Sequence, residues 1–88
     1  MNLREILDNL EGESDSLNQV MATLEDIDSK LTEKIQTIAS LVGDLGSGQT
    51  DMDVVLMLLH DASTHAGQSR AMTFTAQQKT RDFLRRFR

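Results

Sequence analysis

The chain has 88 residues, 39 % of them hydrophobic and 26 % charged, with a net charge of -5, three aromatic residues, no cysteine and no proline. Such a chain is one small domain with too little apolar material for a large core, so burial against a second copy or a partner is expected. The missing cysteines exclude a disulfide framework, a thiolate metal site and a cysteine nucleophile, and the missing proline suits long uninterrupted helices.

The N-terminal stretch Met1 to Leu10 is too polar for a signal peptide, and no apolar run approaches the roughly 20 residues of a membrane span. A soluble, cytoplasmic protein is expected. Leu3, Leu10, Leu17, Leu24, Leu31, Ile38 and Leu45 then stand seven residues apart. A companion row holds Ile6, Glu13, Val20, Ile27, Lys34 and Leu41, and Leu7, Met21, Ile35 and Val42 add a third. Heptad rows mean a long helix packed lengthwise on another helix. Three rows make a stripe wider than a zipper seam, of the width that bundle packing uses. The spacing predicts a helix over 2–43. Gly12, Ser14, Asp15 and Ser16 are poor interior residues, at ~0.5–1 kcal/mol each relative to Ala. Ser16-Leu17-Asn18-Gln19 has the form of a capping box that would start a new helix. Leu10 to Leu17 nevertheless keeps heptad phase, so one helix with a soft or kinked stretch is expected.

Residues 43–50 carry three glycines and a serine and predict a tight turn, with Gly43 as the C-terminal cap of the first helix. A phosphate-cradling loop does not fit, because no Gly-Lys-Ser/Thr occurs and no strand precedes the turn. Thr50 is the expected N-cap of a second helix over 51–87, with Asp51 and Asp53 favourably placed at its start. Val54 to Leu59 is apolar all round that helix. One face meets helix 1 and the other needs a different cover. The stripe continues as Ala62, Ala66, Ser69, Thr73, Ala76, Thr80, Phe83 and Phe87.

The fold class read from this pattern is all-α: a single domain, 1–88, forming an antiparallel two-helix hairpin completed to a four-helix bundle by dimerisation or by a partner. The charges agree. Residues 1–61 hold thirteen acids against Arg4, Lys30 and Lys34, whereas residues 62–88 hold Asp82 against six bases. An antiparallel hairpin sets the basic end of helix 2 beside the acidic start of helix 1 (Glu5, Asp8, Glu11, Glu13 and Asp15), though each exposed pair contributes only about 0–1 kcal/mol.

Little in the chain speaks for catalysis. His60, Asp61 and His65 are the only metal-like group, and two His without a third ligand make a weak zinc site. The paired carboxylates Glu25, Asp26 and Asp28, and Asp51 and Asp53, lack the pocket that hydrolysis needs. No enzyme activity, cofactor or metal is expected. The expected partner-binding residues are Met52, Val54, Leu56, Met57, Leu58 and Phe74, an adaptable methionine-containing surface that takes a protein partner or a second copy. The alternative is a small binder of nucleic acid or anionic membrane through Lys79, Arg81, Arg85, Arg86 and Arg88, with Phe83, Leu84 and Phe87 inserted.

Two long helices of similar length around a glycine-containing turn, here Leu41-Val42-Gly43, resemble the Trp-x-Gly hairpin family of type VII secretion. The signature glycine is present, the Trp is not, and no Tyr is available for a C-terminal export signal. The resemblance implies a helical hairpin that pairs with a larger protein, such as a secreted toxin, and is secreted with it. It implies no functional residue.

Overall fold

The first helix begins at a cap that its sequence supplies. Asn2 is extended (φ -89°, ψ 171°), its Oδ1 accepts a hydrogen bond from the Glu5 backbone N–H at 2.8 Å, and Glu5 places an acid in the first turn. From there the computed structural model, which describes residues 1–46 and 49–87 except for the side chains of Gln49 and Thr50, carries α1 over Leu3–Leu45 and α2 over Gln49–Phe87. The two helices pack against each other as a hairpin, and among the described residues there is no strand. The molecule measures 66 × 18 × 14 Å. That length is the roughly 1.5 Å per residue of a 43-residue helix, and the other dimensions are two helices by one.

Both expected helix ends move. Gly43 is helical, and the cap is Gly46, whose φ of 72° is the left-handed conformation that closes a helix. Gly43 is also the one residue that matched the Trp-x-Gly turn. Thr50 lies inside α2, which starts at Gln49. Residues 47 and 48 of the expected turn lie outside the described residues.

No break occurs near Gly12. The Ser16 hydroxyl donates to the Glu13 carbonyl at 2.8 Å, bonding back along the helix instead of capping a new one. A Cβ added at Gly12 or Gly43 would meet nothing within 4 Å. Gly12→Ala and Gly43→Ala should therefore each raise stability by about 0.5–1 kcal/mol in thermal or urea unfolding, through helix propensity alone.

Two polar contacts fix how the helices pair. Gln77 Nε2 donates to the Ser14 carbonyl at 2.7 Å, and the Ser63 hydroxyl donates to Asp28. Both obey one antiparallel register, each step down α1 being one step up α2. That register sets Leu7 level with Leu84, Met21 with Arg70 and Ile35 with Leu56. Arg70 pairs with Glu25 at 3.5 Å and Arg81 with Asp15 at 3.9 Å across the helices, so opposed charges do flank the hairpin.

The seam differs from the expected one in its second row. The Leu10 to Ile38 ladder is half-buried, as anticipated, but the row beside it is Leu7, Ser14, Met21, Asp28, Ile35 and Val42. The companion row of Ile6, Val20, Ile27 and Leu41 faces solvent, from 40 % exposed at Ile6 to 62 % at Leu41. On α2 the seam runs Met52, Leu56, Leu59, Ser63, Ala66, Thr73, Gln77, Thr80 and Leu84, with Phe87 continuing the Thr80 row half exposed beside Leu3 and Leu7 at the helix end, while Ala62, Ser69, Ala76 and Phe83 lie outside it. The polar layers decide the choice. Asp28 finds a side-chain partner in Ser63, and Gln77 reaches the Ser14 carbonyl and Asn18, only when this row turns inward, and the competing row would bury Glu13 and Lys34 instead. Thr73 and Thr80 fit the seam because their hydroxyls donate to the Ser69 and Ala76 carbonyls of their own helix, at 2.8 and 2.9 Å. That leaves their methyl groups for packing.

Candidate partner-binding surfaces

A seam of this composition buries little. Leu7, Ile35, Val42, Ala66 and Leu84 are the buried apolar residues among those described, beside Ser14 and Gln77 at 2 % and 1 % exposure. The Ser14 hydroxyl has no hydrogen-bond partner. Large apolar side chains instead remain on the outside, and heptad phase gathers most of them in two places.

The first is one long side of the hairpin. Ile6, Val20, Ile27 and Leu41 lie next to the Leu10 to Ile38 ladder on α1. Val55, Ala62, Ser69, Ala76 and Phe83 hold the matching heptad position on α2, so antiparallel pairing puts the two rows on the same side. This side is apolar except for Glu13, Lys34 and Ser69. The opposite side is more polar, carrying Arg4, Glu11, Asn18 and Glu25 from α1 and Asp53, His60, Gly67, Phe74 and Arg81 from α2. A shallow cleft there is lined by Glu11, Ser14, Asp15, Arg81, Leu84 and Arg85.

The second place is the outward face at the start of α2. Here the expected partner-binding group divides. Met52 and Leu56 are half-buried in the seam, whereas Val54, Met57 and Leu58 are 50–58 % exposed. Phe74 is exposed too, but it stands sixteen residues beyond Leu58, about 24 Å along the helix, beside Met21, Gly67 and Arg70. The six residues are not one surface. An all-round apolar run signalled that some side chains must stay outside, and only the register could say which.

The basic end is engaged with acids in part. Arg81 is paired with Asp15, and Arg85 with Asp82 of its own helix at 3.0 Å. Lys79 and Arg86 are exposed, and Arg88 lies outside the described residues. Phe83 and Phe87 stack on each other at 4.8 Å between ring centroids, and both remain about half exposed. His60, Asp61 and His65 are all exposed, and among the described residues no three His, Asp or Glu side chains are placed to hold a metal ion. No described helix is long and apolar enough to cross a membrane.

Comparison with protein-family models, with curated proteins and with solved structures returned no match.

Proposed function

We propose that this hairpin is a non-enzymatic interaction module: an adaptor, chaperone-like protein or assembly partner whose role is to bury its apolar helix faces against another helical surface. One observation carries this reading. The intramolecular seam is interrupted by Ser14, Asp28, Ser63 and Gln77, while Val20, Ile27, Leu41, Val54, Met57 and Leu58 stand in solvent. A monomer therefore leaves outside much of the apolar surface that could stabilise it, and association supplies the missing burial. Pairing with a larger secreted protein, as in the Trp-x-Gly hairpins, belongs to the same reading.

Binding of nucleic acid or an anionic membrane through the Arg-rich end is the competing class, and ionic strength separates the two. Association through apolar faces should persist from low salt to about 1 M salt, where charges are screened within about 3 Å. Complexes that collapse over this range, with retained affinity for phosphate-bearing ligands at low salt, would favour the Arg-rich end.

A further inference from the structure

The apolar side of the hairpin carries two charges, and their placement selects its occupant. Along the exposed row of α1 the residues are Ile6, Glu13, Val20, Ile27, Lys34 and Leu41. Read backwards the row repeats itself with the charges exchanged: apolar, charged, apolar, apolar, oppositely charged, apolar. Such a row is complementary to an antiparallel copy of itself. Ile6 meets Leu41, Glu13 meets Lys34, and Val20 meets Ile27, each contact occurring twice about one two-fold axis. A parallel copy would set Glu13 on Glu13 and Lys34 on Lys34.

Within one chain Glu13 and Lys34 are 21 residues apart on a continuous helix, about 31 Å, too far to interact. Both are exposed, and neither forms an ion pair or side-chain hydrogen bond in the monomer. We infer that the apolar side is occupied by a second copy of this chain, packed antiparallel with α1 on α1 and the two turns at opposite ends of a four-helix bundle. This rests on the interaction-module reading and names its partner and face.

A second feature agrees. The same axis places α2 on α2, with the start of one level with the end of the other. Asp51 and Arg86 share the heptad row that borders the apolar side, so Asp51 then stands close to the level of the partner copy's Arg86, which forms no ion pair among the described residues of the monomer. The small side chains Ala62, Ser69 and Ala76 allow the helices to approach closely along this side. A face 66 Å long and 18 Å wide has room for the roughly 800 Å² per partner that a stable dimer buries. Asn9, Ser16, Thr23, Lys30, Thr37 and Asp44 border it as a polar and charged rim.

The test is charge exchange, with dimer dissociation constants from sedimentation and helicity from circular dichroism. Glu13→Lys and Lys34→Glu should each weaken the dimer about tenfold or more, because each creates two like-charge contacts per dimer. Both positions are exposed on helix surfaces, so helicity at dimer-forming concentration should be retained. The double variant Glu13→Lys/Lys34→Glu should dimerise within about threefold of the original chain, and an equimolar mixture of the two single variants should do the same. A dimer indifferent to all three variants, or a double variant as weak as the singles, would overturn this face and axis while leaving the interaction-module reading in place. A fully helical monomer at every concentration would overturn both.

Discussion

Ile35→Ala should cost about 2–4 kcal/mol and remove most of the cooperative unfolding transition, whereas Leu58→Ala should change stability by under about 0.5 kcal/mol. The two side chains are similar in size and each sits in an apolar stretch of a long helix. Their surroundings differ. Ile35 is buried at 8 % exposure in the seam, level with the half-buried Leu56, whereas Leu58 is 58 % exposed on the outward face of α2. Truncating Ile35 leaves a cavity in a seam with few other apolar residues to collapse into it. Since few buried apolar residues hold the chain together, one such loss is a large part of a small domain's stability. Urea unfolding followed by circular dichroism measures both variants. Equal effects would mean that the helices pair in another register.

Gln77→Ala is expected to cost about 2–3 kcal/mol, a large effect for a polar side chain. Gln77 is 1 % exposed, and its Nε2 serves two acceptors on α1, the Ser14 carbonyl at 2.7 Å and Asn18 Oδ1 at 3.0 Å. Truncation removes both contacts and opens a void beside the unpartnered Ser14 hydroxyl. It also removes one of the two polar layers that hold the register, the role a buried polar residue plays in coiled coils. The neighbouring seam residues Ala66, Thr73 and Thr80 are small and would tolerate a slip. The variant should therefore unfold less cooperatively in urea, and amide exchange should speed up along α2 near Ala76 more than near Leu59. A Gln77→Ala chain as stable and as protected as the original would show that the layer does not set the register.

The helices and their antiparallel pairing were legible in the sequence because each rests on a local signal. Heptad phase through Leu10 and Leu17 outweighed Gly12 and Ser16. The glycines near residue 46 marked the turn, and the opposed charges gave the orientation. Helix ends shifted by two residues, since Gly43 and Gly46 carry the same local propensity and only the backbone conformation separates them. The seam was harder. The Leu7 row and the Ile6 row each hold four apolar and two polar residues, so counting cannot rank them. What separates them is non-local: Asp28 has a side-chain partner 35 residues away and the Ser14 carbonyl accepts from Gln77, 63 residues away, whereas the Glu13 and Lys34 side chains have no such partner across the hairpin. The same ambiguity hid the division of Met52, Val54, Leu56, Met57 and Leu58 between seam and surface. It also hid the apolar side made jointly by Val20, Ile27, Ala62 and Ala76.

The central claim is that this hairpin needs a second helical surface to complete its burial. Molar mass and thermal unfolding of the full chain, measured together across a wide range of protein concentration, test it most directly. Mass should rise above the 9.8 kDa of one chain, toward twice that value, and the unfolding temperature should rise with concentration, because association stabilises only the folded state. A chain that stays at 9.8 kDa throughout, fully helical and with an unfolding temperature independent of concentration, would contradict the account.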